Sequence, residues 1–371
     1  MLTNRLRKPK IDIILALAVF VLVTFGLIMV SSTSAVVSYE NFGYNNFYLY
    51  RQLMFFGIGM VGWVICQNID YRVWKKLALP FFILSLILTL IVFIPGIGFS
   101  HGGATRWINL GFFLFQPTEM LKLSLIIFLA SWFDDRKKEI YSTTKVFIPF
   151  CLTLIAIALI MLKQPDMGTF IVIAVIAFTM YFVAGARILH ILSIFGAGIA
   201  GVAFLIKAAP YRMTRFLTFL NPEQDPLGVG FHINQALIAI GSGGLMGRGF
   251  GKSGQKYTGY IPEAASDSIF AIIAEELGFI KILFFPILLF VVFAWRGFRV
   301  AKFASDFFGK MLAFGITSWI IFQAVINIGT MVSILPLTGM PLPFISYGGS
   351  SLIISLVSIG ILLNISKSQA N

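Results

Sequence analysis

The sequence contains few charged residues. Asp, Glu, Lys and Arg make up only 12% of its 371 residues, whereas a typical soluble domain carries about 25%. Hydrophobic residues account for 58%. A large soluble core is the alternative explanation, but its apolar runs would be interrupted about every ten residues. The composition therefore indicates an integral membrane protein.

Cysteine and histidine are also scarce. The two cysteines, Cys66 and Cys151, both lie in apolar runs, which favours packing roles over a disulfide or a metal pair. The three histidines show no spacing typical of metal ligands. No metal-binding residues are therefore predicted.

Acidic residues are outnumbered by basic ones, 15 to 28, which gives a formal net charge of +13. Nucleic-acid binding is one explanation of this excess. In a membrane protein, however, the first question is on which side of the membrane the basic residues lie. Threading the chain from a cytoplasmic N-terminus places 17 of the 28 in short cytoplasmic segments. This bias predicts an all-α polytopic membrane protein of about ten transmembrane helices, with both termini inside and no nucleic-acid partner. The apolar runs lie near 13–30, 52–67, 77–95, 117–133, 146–162, 167–184, 188–206, 268–295, 311–333 and 344–366.

One connection is unusually long. Residues 207–266 are rich in Gly, Pro and polar residues, and loops of this length are usually functional or disordered. The segment also contains apolar helical patches, so we expect an extracytoplasmic loop folded against the membrane surface. There is no internal repeat, and the whole chain, 1–371, is predicted to form a single transmembrane domain.

Acidic residues in and beside apolar runs are the candidate catalytic groups. Ser266 is a plausible helix N-cap, which places Asp267 in the first helical turn, shortly after Glu263. Glu275 and Glu276 follow in the apolar run, roughly 12–14 Å further along a helix. If that helix spans the membrane, Asp267 lies at the water boundary and the glutamates lie at depth. Carboxylates in such positions are costly and indicate function.

Two further segments are candidates for a polar cavity. Glu119 and Lys122, which follow Gln116, are spaced i, i+3 on one helix face and form either a structural ion pair or a cavity wall. Residues 341–351 contain two prolines and two glycines, so their backbone is predicted to be irregular and to line a cavity. Several basic residues fall on the outer side and contact either lipid headgroups or an anionic substrate.

These stretches resemble the SEDS family (shape, elongation, division and sporulation), whose main branches are FtsW and RodA. The resemblance covers nearly the whole chain. It is most specific at PEAASDSIFAIIAEELG, GSGGLMGRG and PLPFISYGGSS. Residues 25–32 and 182–186 look more like the FtsW branch. In this chain Ala265 and Ser266 replace a common His-Thr pair, which leaves Asp267 itself unchanged.

The resemblance implies a peptidoglycan glycosyltransferase of the bacterial cytoplasmic membrane. Such an enzyme polymerises lipid II into β-1,4 glycan strands at the outer face, in cell division for an FtsW-like member or in elongation for a RodA-like one. The expected partners are lipid II, undecaprenyl diphosphate-linked glycan, membrane lipids and a class B penicillin-binding protein. A divalent cation, Mg²⁺ or Mn²⁺, could supplement positive charge at the diphosphate. A lipid II flippase and a docking scaffold are the alternatives from other classes.

The resemblance also assigns roles to residues. Asp267 would be the general base that accepts a proton from the attacking sugar hydroxyl. Substrate or diphosphate contacts would come from Arg51, Arg106, Glu119, Lys122, Arg212 and Arg215. Supporting roles are expected for Gln116, Glu263, Glu275, Glu276, Ser346, Gly348 and Gly349.

Overall fold

The computed structural model describes residues 11–101, 103–111, 113–208, 210–221, 228–257 and 263–368. In this part of the chain the structure is helical with one small sheet. The first half contains helices α1 Ile13–Phe42, α2 Phe47–Asn68, α3 Arg72–Ile91, α4 Pro117–Asp135, α5 Ile148–Lys163 and α6 Met167–Val183. The second half contains α7 Ile188–Ala208, α8 Pro210–Leu220, α9 Val229–Gly243, α10 Gly254–Tyr257, α11 Ile269–Ile282, α12 Leu288–Phe303, α13 Phe307–Met331 and α14 Gly349–Lys367.

Helices occupy all ten predicted apolar runs, which confirms the all-α architecture. Seven of the described helical segments are long and apolar enough to cross a membrane. Two of these are composite. The π-helical turn Thr143–Phe147 continues directly into α5, and the π-helical turn Leu283–Ile287 joins α11 to α12. The remaining predicted runs correspond to α4, α6 and α7; of these, α6 and the apolar part of α7 are shorter.

A three-stranded antiparallel sheet connects α3 and α4. It has the order β1 Gly98–His101, β2 Ala104–Asn109 and β3 Leu114–Phe115. The sequence analysis did not predict it, because strands of two to six residues are too short to give a clear alternating pattern. The sheet carries Arg106 on β2 towards the turn between α5 and α6.

α13 and α14 form the centre of the bundle. In the most apolar stretch of each helix, 72% of residues are buried in α13 and 78% in α14, compared with 22% in α3. α14 packs closely on α2, and Gly360 permits this contact, since a Cβ there would lie 2.5 Å from the Trp63 carbonyl oxygen. Small residues allow this kind of approach between membrane helices. The centrally placed α13 can therefore connect residues from several other helices.

The long segment 207–266 is mostly helical where it is described. It begins inside α7 and includes α8, α9 and α10. α9 packs directly on α11, because a Cβ at Gly243 would lie only 2.2 Å from the Ala274 carbonyl oxygen. The described part of the segment is thus folded, and α9 is in contact with the helix that follows Asp267.

The prediction of one continuous helix from Ser266 through the apolar run is wrong in two respects. α11 begins at Ile269, with Ser268 as its N-cap, so Asp267 lies in the preceding turn instead of the first helical turn. The helix is also interrupted at Gly278, which has φ 76° and ψ 169°. Glu275 and Glu276 therefore lie in the short helical segment before the break, and their depth cannot be read from the geometry of one continuous spanning helix.

Residues 244–249 complete the hydrogen bonding at the break. The amides of Phe279 and Ile280 donate to the carbonyls of residues 244 and 245, at 2.9 and 3.1 Å. In return, the carbonyls of Glu275 and Glu276 accept from the amides of residues 248 and 249, both at 3.0 Å. Interrupted backbone inside a membrane protein is stable only when such partners exist.

Candidate active site

Asp267 lies in a turn that other segments hold firmly. The carbonyls of residues 265–267 accept hydrogen bonds from the Tyr347 amide, the Ser346 hydroxyl and the Asn327 side-chain amide, at 2.8, 2.6 and 2.7 Å. Asn327 belongs to α13, and the other two donors belong to the segment before α14. That segment is irregular, as the prolines and glycines predicted. Three consecutive bonds fix the backbone position of Asp267.

The environment of the Asp267 carboxyl group suits proton transfer near neutral pH. Burial raises the pKa of Asp267 to about 7, and the charge of Glu263 acts in the same direction. Hydrogen bonds from the amides of Asp267 and Ser268 oppose this shift. The Oδ1 atom is buried and has no hydrogen-bond partner within the described part of the chain. A general base works best when its pKa is close to the working pH.

Glu119 and Lys122 form a buried ion pair in α4. Lys122 Nζ is 2.9 Å from Glu119 Oε1 and 2.7 Å from Gln323 Oε1, and it lies over the Trp319 ring at 5.0 Å from the centroid. Gln323 in turn donates to the Pro341 carbonyl at 3.0 Å. The pair therefore braces α4 against α13 and the segment before α14. Since both side chains are at most 1% exposed, the structural alternative is favoured in this conformation.

Arg106 is engaged by the turn between α5 and α6. It donates to the carbonyls of Gln164 and Pro165, and its guanidinium lies 3.8 Å from Asp166. Asp166 also caps α6 by accepting from the Thr169 amide at 3.4 Å. The contacts of Arg106 are thus with the protein, and they fix the small sheet on the bundle.

Glu275 and Glu276 form a second buried cluster. Glu276 is 2.8 Å from Lys256 Nζ, which also donates to Ser32 on α1 at 2.7 Å. Glu275 accepts from Ser253 at 2.5 Å and is 3.1 Å from Arg248. Both glutamates are fully buried. Their contacts attach residues 248–256 to α11 and α1.

Comparison with known proteins identifies the family. The FtsW/RodA/SpoVE model, described as a cell cycle protein, matches residues 13–371. The chain belongs to the FtsW/RodA/SpoVE family.

Two curated relatives are similar over nearly their full lengths. The stage V sporulation protein E of Bacillus subtilis (strain 168) is 43% identical over 361 residues, covering 97% of this chain and 98% of that protein. A probable peptidoglycan glycosyltransferase FtsW of Trichlorobacter lovleyi is 42% identical over 365 residues, covering 97% and 95%.

Solved structures of the FtsW/RodA/SpoVE family share this fold. The Thermus thermophilus rod shape determining protein RodA gives a TM-score of 0.71 at 26% identity and covers 99% of both chains. A chain from a study of the structural coordination of polymerization and crosslinking by a peptidoglycan synthase complex gives 0.79 at 26% identity, covering 96% of this chain and 97% of that chain. The polytopic membrane fold is therefore shown.

The remaining predicted residues of this FtsW/RodA/SpoVE protein fall into three groups. Arg51 hydrogen-bonds the side chain of Tyr347, next to the segment that holds Asp267. Three residues support the backbone at the start of α4 and α14, and these are Gln116, Gly348 and Gly349. Arg212 and Arg215 belong to α8, and their side chains lie outside the described part of the structure.

The sequence analysis missed His232 and did not foresee the role of Lys256. His232 on α9 is buried beside Ser268, and Lys256 is buried beside Glu276. Each partner is at least 20 residues away in the sequence, so local spacing gives no signal for either contact. Among the residues that the structure describes, no three His, Cys, Asp or Glu side chains come together as a metal site.

Proposed function

We propose that this protein is a peptidoglycan glycosyltransferase that polymerises lipid II into β-1,4 glycan strands. The single observation that carries the proposal is Asp267, which is rigidly held and has a pKa close to 7. Family membership and relatives named as probable peptidoglycan glycosyltransferases support the same reaction. In this mechanism the acceptor's 4-hydroxyl attacks the donor's anomeric carbon, and undecaprenyl diphosphate leaves with inversion.

Asp267 accepts the proton of the attacking hydroxyl. Its buried Oδ1 has an unused acceptor position that a sugar hydroxyl would fill. Positive charge is needed where the diphosphate leaves. Arg51, which contacts Tyr347 in the segment that holds Asp267, is our first candidate for that role, and Arg212 and Arg215 of the long segment are further candidates. Arg106 and Lys122 are less suited, because carboxylates already neutralise them.

The described part of the structure does not provide a complete set of protein ligands for a divalent cation. Glu263 is the carboxylate whose charge acts on Asp267, and no third candidate ligand joins these two. If Mg²⁺ or Mn²⁺ takes part, the diphosphate oxygens must supply most of its inner coordination. We therefore assign no step of the reaction to a cation.

We also propose that the site faces the outside of the cytoplasmic membrane. Asn327, which holds Asp267, lies 20 residues after Phe307 at the start of α13, which is roughly 30 Å along the helix. The start of α13 lies beside Arg72 and Asp306, at the end where the basic segments gather. The positive-inside preference supports a cytoplasmic location for that end, which would put Asp267 at the opposite surface.

The physiological role that we propose is in cell division, as in the FtsW-like branch. The curated relatives at 42–43% identity are an FtsW and a sporulation protein, whereas the solved RodA is 26% identical. A RodA-like role in elongation is the alternative. The chain should be expressed in cells depleted of FtsW and, separately, in cells depleted of RodA. It should rescue the FtsW-depleted cells only.

The partner that we propose is a class B penicillin-binding protein. A structurally similar chain comes from a peptidoglycan synthase complex that couples polymerization to crosslinking. Such a transpeptidase would use the glycan strand as it is made. Co-purification of the tagged chain with candidate transpeptidases would identify the partner.

Polymerisation of lipid II by the purified protein tests the proposed function. Asp267→Asn keeps the size of the side chain but cannot accept the proton, so product should fall by at least about 100-fold, since general-base catalysis contributes about 10²–10⁴. Asp70→Asn, an exposed aspartate outside the site, is the matched control and should remain fully active. Normal glycan length and rate from Asp267→Asn would overturn the general-base assignment. Loss of lipid II binding as well as product would assign Asp267 to substrate holding.

A further inference from the structure

His232 contacts the residue that follows Asp267. Its Nε2 atom lies 2.6 Å from the Ser268 hydroxyl, and both side chains are buried. His232 belongs to α9, whereas the other described hydrogen bonds to the turn come from α13 and from the segment before α14. The turn is therefore held from two sides, and His232 provides the contact on the α9 side.

Ser268 has a direct effect on the candidate base. Its backbone amide hydrogen-bonds the Asp267 carboxylate and also points at the Glu263 carbonyl, at 3.3 Å. Movement of Ser268 therefore changes both the direction of the Asp267 side chain and the stability of its charged form. Ser268 is also the N-cap of α11, yet its side chain makes no capping bond, because it is directed to His232.

We propose that His232 is a positioning residue for Asp267, acting through its hydrogen bond to Ser268. This inference rests on the proposed function. Burial lowers the pKa of His232, which favours the neutral imidazole, and the 2.6 Å contact joins its Nε2 to the Ser268 hydroxyl. The role requires a hydrogen bond and not a charge. Glutamine should therefore replace histidine here, whereas leucine should not.

The first measurement is the steady-state rate of glycan synthesis by the purified full-length chain. His232→Leu should lower kcat by about 10-fold or more with little change in KM, because small misplacements of catalytic groups can cost up to about 100-fold. His232→Gln should stay within about threefold of the wild type. Ser268→Ala removes the same bond from the other side and should match His232→Leu.

The second measurement is the pH dependence of kcat, which a merely structural residue would not change. Among the described residues, Glu263 is the charged group that shifts the pKa of Asp267. The residues that α13 and the segment before α14 contribute to the turn, Asn327 and Ser346, are uncharged. In His232→Leu the Ser268 amide stabilises the carboxylate less well. The midpoint of the pH profile should therefore move upward relative to the wild type, and in His232→Gln it should not move.

His190→Leu is the matched control. His190 is also buried and bonded to two side chains, those of Thr143 and Tyr181, away from the Asp267 turn. It should leave the midpoint unchanged even if it lowers thermal stability. If His232→Leu does not fold, His232→Gln and Ser268→Ala carry the test by the same two readouts.

The outcomes separate this inference from the proposed function. Loss of activity in Asp267→Asn together with wild-type kcat and midpoint in Ser268→Ala and His232→Leu would overturn the positioning role alone. Wild-type activity in Asp267→Asn would overturn the base assignment and the inference that rests on it. Equal loss of activity in His232→Gln and His232→Leu would also contradict the inference, because the hydrogen bond would then not be the property that matters.

Discussion

At the scale of single residues, the structure separates one acid from the others. Among the described residues no basic side chain acts on Asp267, whereas Glu275 is paired with Arg248 and Glu276 with Lys256. An acid that is already paired is a poor proton acceptor, since its charge is stabilised by its neighbours. The chemistry is therefore expected at Asp267, with the glutamates holding the surrounding backbone.

The activity should depend on pH through Asp267. Its pKa is raised to about 7, and only the carboxylate can accept a proton, so the rate should rise with pH and level off above about 7. A pH–rate profile of lipid II polymerisation measures this. A rate that stays flat from about pH 5.5 to about pH 8.5 would argue against Asp267 as the base.

The stability of the fold should also depend on pH through Asp267, but it should fall where the rate rises. The folded pKa lies above the unfolded value, so the folded protein holds more protons between about 4 and 7, and stability falls as the pH rises through this window. Asp267→Asn removes this loss and should raise the melting temperature at about pH 8 more than at about pH 5. An equal change at both pH values would contradict the raised pKa.

The Glu119 and Lys122 pair should be sensitive to the loss of one partner. Lys122→Ala leaves a buried carboxylate without compensation, which typically costs about 3–5 kcal/mol of the free energy of unfolding. The double variant Glu119→Gln with Lys122→Met should recover much of that stability. Thermal unfolding in detergent measures both. Wild-type polymerisation by the double variant would show that the pair is structural.

At the scale of helices, the break in α11 is the feature that organises the site. A continuous helix would carry residues 269–303 straight through the membrane, whereas the break frees backbone groups of α11 to pair with residues 244–249. That pairing brings Lys256 to Glu276. It thereby fastens the long segment 207–266 to the helix that follows Asp267.

Gly278 should not tolerate a side chain. A Cβ there would lie 2.1 Å from the Gly247 nitrogen, and its φ of 76° is unfavourable for alanine. We expect Gly278→Ala to lower the free energy of unfolding by at least about 1–3 kcal/mol. Gly57→Ala is the control, because a methyl group added at Gly57 in α2 would meet no described atom within 4 Å, and it should be neutral or slightly stabilising. Equal thermal stability of the two variants would contradict this account.

At the scale of the whole molecule, the two ends of the bundle carry different polar groups. One end carries the ion pair between Arg296 and Asp12 and that between Arg72 and Asp306. The other carries Asp267 and the segment that holds it. This polarity suits an enzyme that draws a lipid-linked substrate from the membrane and releases a polymer on one side.

Sidedness can be measured with single cysteines in a background without Cys66 and Cys151. Lys252→Cys, exposed in the long segment, should react with an impermeant thiol reagent in intact cells. Lys137→Cys, exposed after α4 at the opposite end, should react only after the cells are permeabilised. The reverse pattern would place Asp267 in the cytoplasm and overturn the proposed orientation.

The sequence by itself determined the helices, the irregular segment before α14 and the choice of Asp267 as an acid of interest. These depend on composition and on residues close together in the chain, such as the apolar runs and the prolines and glycines of residues 341–351. The small sheet and the start of α11 were not predicted, because their signals extend over only a few residues.

Only the tertiary structure decided which polar groups are free. Lys122 is enclosed by α13, Arg106 is taken by the turn before α6, and the helix is broken at Gly278, where residues 244–249 supply the missing hydrogen bonds. The raised pKa of Asp267 likewise comes from burial by segments distant in sequence. Each of these properties arises from contacts between segments far apart in the chain, whereas local patterns report only on neighbouring residues.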